Sequence, residues 1–199
     1  MLCRHETARA GRLYSDNFRL NGVVGNGHTR TLTVKGKNMS SLQDFFIKID
    51  GIPGESKDAK HVGQIDVLQW GYAVSQSSTS HTGGGSGTGK ANFSELVFSH
   101  YIDKATPNLM KYCASGKHIP TVELSCCKVG DGSQEYMKVT LNEVLITHVN
   151  PKGSISDPRV IEEVGMSYGK IKVEVKEQNA DGSMGATVTG TWDVKQNKE

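Results

Sequence analysis

The residue types that could do chemistry are present but scattered. Gly84-Gly-Ser-Gly-Thr-Gly-Lys90 fits the first seven positions of a phosphate-binding loop, where glycines admit a polyphosphate to the backbone amides and lysine reaches its terminal oxygens. The next residue is Ala91, where a Ser or Thr hydroxyl would reach Mg²⁺. The run also follows the polar stretch Ser75 to Thr82 and leads into an alternating one, Phe93 to Tyr101, instead of opening a helix whose N-terminal amides hold phosphate. A flexible Gly/Ser/Thr loop over Ser77 to Lys90 accounts for it better. His61, His81, His100, His118 and His148 show no HxH, HExxH or HxxxH spacing, so no metal centre is expected. Ser154, Ser156 and Asp157 have neither a GxSxG elbow nor a histidine partner nearby, which argues against a hydrolase. The expectation is a protein that is not an enzyme and carries no cofactor.

Composition narrows the class further. The chain has 199 residues, enough for one domain plus an appendage, and its four cysteines form no CxxC pair. Cys126 and Cys127 are adjacent in a strand-like run, so they point to opposite faces and suit neither a mutual disulfide nor one metal. Reduced, buried thiols are expected. Residues 1 to 38 hold seven Lys or Arg against Glu6 and Asp16, a net of +5, which leaves −3 for the rest of a chain whose total is +2. The basic balance therefore belongs to the leading segment, and nucleic-acid binding by the main domain is not expected. No apolar run reaches the roughly eighteen residues of a membrane-spanning helix.

Those first 38 residues lack sustained periodicity, contain Gly22, Gly25, Gly27 and Gly36, and have no apolar signal-peptide core, so a disordered leader is expected. Their Arg-rich, acid-poor make-up is shared with transit peptides, although serine is scarce. The purine-rich codons of Lys35-Gly-Lys37 can also spell a ribosome-binding site just before Met39, which would make Met39 the start of a domain over 39–199.

From Met39 the text becomes regular. Strands are expected at Phe45 to Ile49, Ile65 to Gln76, Phe93 to Tyr101, Thr121 to Val129, Glu135 to His148, Val160 to Val175 and Val188 to Val194, with turn signals at Asp50 to Gly54, Gly130 to Gly132 and Asp181-Gly182. In the second, Asp66, Leu68, Trp70, Tyr72 and Val74 fall on one face, and Ile65, Val67, Gln69, Gly71 and Ala73 on the other. The large residues would bury the first face and leave the second to solvent or a cavity. One helix is expected at 107–115: Thr106 can cap, Pro107 suits the first turn, Gly116 can end it, and Leu109, Met110 and Cys113 share its inner face. The fold class is mainly β, an antiparallel barrel or sandwich with one short flanking helix. Glu55-Ser-Lys-Asp58 is a loop of alternating charge, suited to register between repeated copies.

Phe46-Ile-Lys-Ile49, Gly54-Glu-Ser-Lys-Asp58, Ile65-Asp-Val-Leu-Gln-Trp70, His81-Thr-Gly-Gly-Gly with Gly89-Lys90, Tyr101-Ile-Asp-Lys-Ala-Thr-Pro-Asn-Leu-Met110, Ser115-Gly-Lys-His118, Tyr136 to Val149 and Trp192-Asp-Val-Lys-Gln-Asn197 together resemble the haemolysin-coregulated protein family, over about residues 43 to 197. Residues 1 to 38 have no counterpart in that resemblance. It implies a tube subunit of the bacterial type VI secretion system: a barrel with a flanking helix that forms homohexameric rings. The rings stack into a tube capped by a spike protein, surrounded by a contractile sheath and carrying effectors in its lumen. It also implies residence in the bacterial cytoplasm before firing and secretion afterwards without a signal peptide. No nucleic acid and no membrane insertion are implied. On this reading Glu55, Ser56, Lys57 and Asp58 contact neighbouring subunits or the next ring, and Gln69, Gly71 and Ala73 face the lumen. A monomeric small-ligand or carrier β-sandwich is the alternative.

Overall fold

Strands that alternate apolar and polar residues each carry one face to bury, and an antiparallel series hides those faces together by curling into a barrel. The computed structural model describes residues 19–20, 32–33, 43–76, 90–129, 134–155, 158–179 and 183–199. The chain divides into two compact units, Met1–Ser40 and Ser41–Glu199. In the first, β1 (Arg19–Leu20) pairs antiparallel with β2 (Leu32–Thr33). The rest of the expected leader lies outside the described residues, as do 77–89 of the phosphate-loop-like stretch, Ser156, Asp157 and the turns at 130–133 and 180–182.

The second unit contains β3 (Gln43–Ile49), β4 (Ile65–Gly71), β5 (Val74–Ser75), β6 (Asn92–Phe93), β7 (Leu96–Tyr101), α1 (Thr106–Ser115), β8 (Ile119–Lys128), β9 (Gln134–Lys152), β10 (Ile161–Ser167), β11 (Lys170–Gln178) and β12 (Met184–Asp193). Its main sheet runs β10-β7-β4-β3-β8-β9-β11-β12, and β10 also pairs with β9. Six antiparallel strands therefore close into a barrel, as the alternation predicted, while β11 and β12 continue outward from β9. β5 and β6 make a separate short ribbon.

β9 makes this branching possible. It pairs with β11 from Met137 to Asn142 and with β10 from Leu145 to Lys152, and Glu143 between them sits at φ +54°. A left-handed residue rotates the strand locally and re-aims its open edge. The burial of β11 follows from this: Ile171 lies in the core, Val173 packs against it, and Val175 is exposed where the hairpin has left the barrel.

The barrel is filled by inward residues of every strand, among them Ile47, Ile65, Leu96, Phe98, Leu124, Val139, Leu141, Val164 and Met166. Each such side chain contributes about 1.5–3 kcal/mol when taken out of water. Cys126 and Cys127 do face opposite ways, and both are buried: Cys126 lies opposite Phe45, and Cys127 lies beneath the β3–β4 loop, its sulfur 3.4 Å from His61 Nε2.

Several expectations need correction. The faces of β4 switch midway, because a bulge between Val67 and Gln69 inserts Leu68 as an extra residue. Ile65 and Val67 are core residues, Asp66 and Leu68 face outward, and only beyond the bulge do Gln69 and Gly71 point out while Trp70 packs inward. The runs at 65–76 and 93–101 each break near one end into a longer and a shorter strand. The run from Val160 is two strands, β10 and β11, separated by Tyr168 and Gly169. The helix begins one residue early: Ala105 is its N-cap, Asp103 Oδ1 accepts the Ala105 N–H at 2.8 Å, and the Thr106 hydroxyl donates elsewhere. Gly116 does end it, at φ 60°. Leu109 is fully buried where α1 packs on β9, but Met110 is 58% exposed.

Candidate functional site

No group of three or more His, Cys, Asp or Glu that could hold a metal occurs among the described residues, so the candidate surfaces are those that another molecule could contact. The β3–β4 loop is the most highly built of them. Gly54 and Ser56 donate backbone N–H groups to Gly63 and Gln64, and Gly63 donates back to Ser56. A Cβ at Gly54 would collide with the Gln64 backbone, so this close approach requires glycine. Asp58 Oδ1 accepts the N–H groups of Lys60 and His61. The loop is pinned to the barrel by His61, whose ring stacks on Phe46 at 4.3 Å and covers Cys127.

The four residues expected to make contacts therefore divide. Ser56 is buried within the loop, and Asp58 shapes its turn; Lys57 is exposed, and Glu55 accepts the backbone N–H of Lys104 through Oε1. Glu55 thereby ties the loop to the segment entering α1. Between loop and barrel lies an open groove of about 560 Å³, with Phe45, Val67 and Leu68 along it and Asp66, Asp103 and Arg159 among its charged groups. Arg159 stacks over the Tyr101 ring at 3.7 Å.

A second surface is the outer face of the four barrel strands β4, β7, β10 and β9. Pairing aligns Gln69 with Ser99, Ser99 with Glu163 and Glu163 with Asn150, and the next row runs Gly71, Val97, Gly165 and His148. Gln69 Nε2 donates to Ser99 Oγ at 3.3 Å, and His148 lies flat on Gly165 with Glu95 at 3.5 Å from one ring nitrogen and Glu163 at 3.9 Å from the other. Gly71 has open space where a side chain would project. Gln69 and Gly71 are exposed on this one outer face, and Ala73 is exposed just beyond the strand end.

Beneath this face lies a buried polar cluster that the sequence reading did not single out. His100 and Glu162 are fully buried and joined Nε2 to Oε1 at 2.9 Å. Thr106 Oγ1 donates to the same carboxylate oxygen at 2.9 Å, and Asp103 stands 4.0 Å from His100 Nδ1. The cluster fastens the start of α1 to β7 and β10. The signal was present: Leu96, Phe98 and His100 share the inward face of an alternating run, so a titratable side chain had to find a partner inside.

The outer face of β3, β8, β9 and β11 is different again. Lys48 and Lys138 pair with Glu123 at 3.6 and 3.2 Å, and Glu135 accepts from Ser125 at 2.7 Å and pairs with Lys176 at 3.3 Å. Burial raises the Glu135 carboxyl, but the Ser125 hydroxyl and the Lys176 ammonium outweigh it and hold the group below its usual value. Burial, with a smaller contribution from Cys127, pushes the Cys126 thiol up to about 12, so it stays neutral and unreactive.

The family described as "Type VI secretion system effector, Hcp" matches residues 46–175. The chain is 46% identical over 156 residues to protein hcp1 of Pseudomonas aeruginosa, an alignment covering 77% of this chain and 96% of that protein. The crystal structure of Hcp1 from Salmonella typhimurium aligns with TM-score 0.67 and 43% identity, covering 79% of this chain and 99% of that one. A type VI secretion system effector from Yersinia pestis aligns with TM-score 0.62 and 39% identity, covering 75% and 99%.

Proposed function

Because the chain belongs to the Hcp family of type VI secretion proteins, we propose that it is the structural subunit of a secreted tube. Six copies close into a ring, rings stack into a tube, and effectors ride in the lumen. A spike protein caps the tube and a contractile sheath expels it from the cytoplasm. No helix among the described residues is long and apolar enough to cross a membrane. The subunit itself carries out no catalysis on this reading, and its work is assembly and transport.

The observation that carries the reading is the family match across the barrel. The outer face of β4, β7, β10 and β9 supports it in chemical terms: the exposed Gln69, Gly71 and Asn150 offer small or uncharged polar groups that leave room for passing cargo. Gln69, Gly71 and Ala73 are assigned to the lumen wall, and the Glu55–Asp58 loop to contacts with neighbouring subunits or the next ring. A heterologous contact repeated around an axis closes a ring, and repetition along the axis builds a filament.

Light scattering on a size-exclusion column tests this. The full chain should show six times its 21.6 kDa mass, and a variant starting at Met39 should show six times its own smaller mass if function resides in residues 39–199. Monomers of both would overturn the reading in favour of a monomeric binding domain.

A further inference from the structure

Three segments far apart in the sequence, Gly54–Asp58, Ile65–Trp70 and Tyr101–Met110, carry much of the resemblance to the Hcp family. The fold brings residues of all three to one place, the groove of about 560 Å³ beside the β3–β4 loop. Core formation does not require this convergence. Asp66, Leu68 and Ile102 are exposed and contribute nothing to the barrel interior. Leu68 and Ile102 are each 42% exposed and give the groove apolar surface. Its ionisable lining is acidic: Asp44, Glu55, Asp58, Asp66 and Asp103 stand against Lys57 and Arg159.

A groove of this kind fits a convex surface with an apolar centre and lysines around it. The same chain carries one. Met110 on α1 is 58% exposed, Lys111 beside it is exposed, no carboxylate occurs from Thr106 to Ser115, and Lys117 follows the helix. Neither Met110 nor Lys111 lines the groove of its own chain. The segment Tyr101–Met110 thus supplies part of the receptor surface at one end and the centre of the complementary surface at the other.

We propose that the groove bounded by Glu55, Asp66, Leu68 and Asp103 receives the outer face of α1, centred on Met110 and Lys111, from a second copy of this chain. The contact is heterologous, since groove and helix are different surfaces, and its repetition closes a ring or extends a filament. This inference rests on the reading of the chain as a self-assembling subunit and names the two surfaces that meet. Glu55, hydrogen-bonded to the Lys104 backbone, then holds the loop wall of the groove in register with the entry to α1.

The test follows the mass of the full chain by light scattering over a dilution series, for wild type, Asp66→Lys, Lys111→Glu and the double variant. Both side chains are exposed, so circular dichroism and melting should match wild type in every case. Each single variant should raise the concentration of half-assembly about tenfold or more, and the double variant, which restores opposite charges, should recover most of the loss. Single variants that assemble like an oligomeric wild type would overturn the groove contact while leaving the tube-subunit reading standing. Loss in Asp66→Lys without recovery in the double variant would overturn α1 as the occupant. A wild type that stays monomeric at every concentration would overturn the subunit reading and this contact with it.

Discussion

Two outer faces of one barrel are built on opposite principles. Around β3, β8, β9 and β11 the outward positions carry long charged side chains joined in pairs, Lys48 and Lys138 on Glu123 and Lys176 on Glu135. Around β4, β7, β10 and β9 they carry Gln69, Gly71, Ser99, Gly165 and Asn150, and charge gathers in one group, His148 with Glu95 and Glu163 and Lys152 on Glu163. The interior beneath them differs in the reverse sense. Aliphatic side chains such as Val122, Leu124, Val139 and Leu141 lie behind the charged face, whereas the small-residue face covers the buried His100–Glu162 pair. Behind this face the strands are also joined from inside the wall, where Glu162 meets both His100 of β7 and the Thr106 hydroxyl of α1.

The sharpest way to break this contrast is to remove the buried partner. Glu162→Ala should cost about 3–5 kcal/mol in urea denaturation at fixed protein concentration, because it strands a buried imidazole and the Thr106 hydroxyl. Glu162→Gln keeps an oxygen for both and should lose much less. Equal losses from the two would mean that shape alone, and not the hydrogen-bonded pair, holds β10 to β7 and α1.

Next in size is Gly165→Ala. The added methyl meets the His148 ring, which must swing away from Glu95 and Glu163. The cost should be about 1 kcal/mol, the low end for overpacking, since a side chain one-third exposed has solvent to turn into. His148→Ala in the same background should remove most of that cost, because the two changes share one contact.

The charged face should prove more tolerant. Glu123→Gln removes two partly exposed ion pairs and should cost at most about 1 kcal/mol, less as salt is added. Glu135 adds a pH signature. Its carboxyl is held below the usual value in the folded chain, so the stabilisation is present above pH 4.5 and is lost as pH falls below it. Glu135→Gln should flatten that part of the acid-denaturation curve; an unchanged curve would remove Glu135 from the acid response.

Much of the architecture was legible because period-two alternation reports burial directly. Ile47, Leu96, Phe98, Leu124 and Ile171 fall on inward faces for that reason, and Gly116 marked the helix end through its backbone freedom. What stayed hidden depended on pairing between distant strands. The bulge at Leu68 has no local signature, since Ile65 to Trp70 reads as an unbroken strand until β7 pairs with it and forces an extra residue out. Glu143 likewise looks ordinary in sequence, yet its left-handed backbone divides β9 between two partners. The loop residues Glu55 to Asp58 were found as a group by their alternating charge. Their separate roles, Ser56 buried and Asp58 turning the chain, come from hydrogen bonds that composition does not encode.

The smallest expected effect on stability belongs to Gly71→Trp, and it separates the faces most cleanly. Gly71 is exposed, has ordinary negative φ, and has nothing within 4 Å of where a Cβ would stand. Strands accept tryptophan well, so the melting temperature should stay within error of wild type or rise slightly. On the charged face an equally exposed position, such as Lys48, should accept tryptophan just as quietly and leave transport untouched. On the small-residue face the same indole projects into the space assigned to the lumen, so rings should form with normal mass while retention of a co-expressed effector falls. If Gly71→Trp instead disrupts the rings, the position lies at a contact between subunits. The small side chains of this face would then serve close approach of neighbouring copies, not passage of cargo.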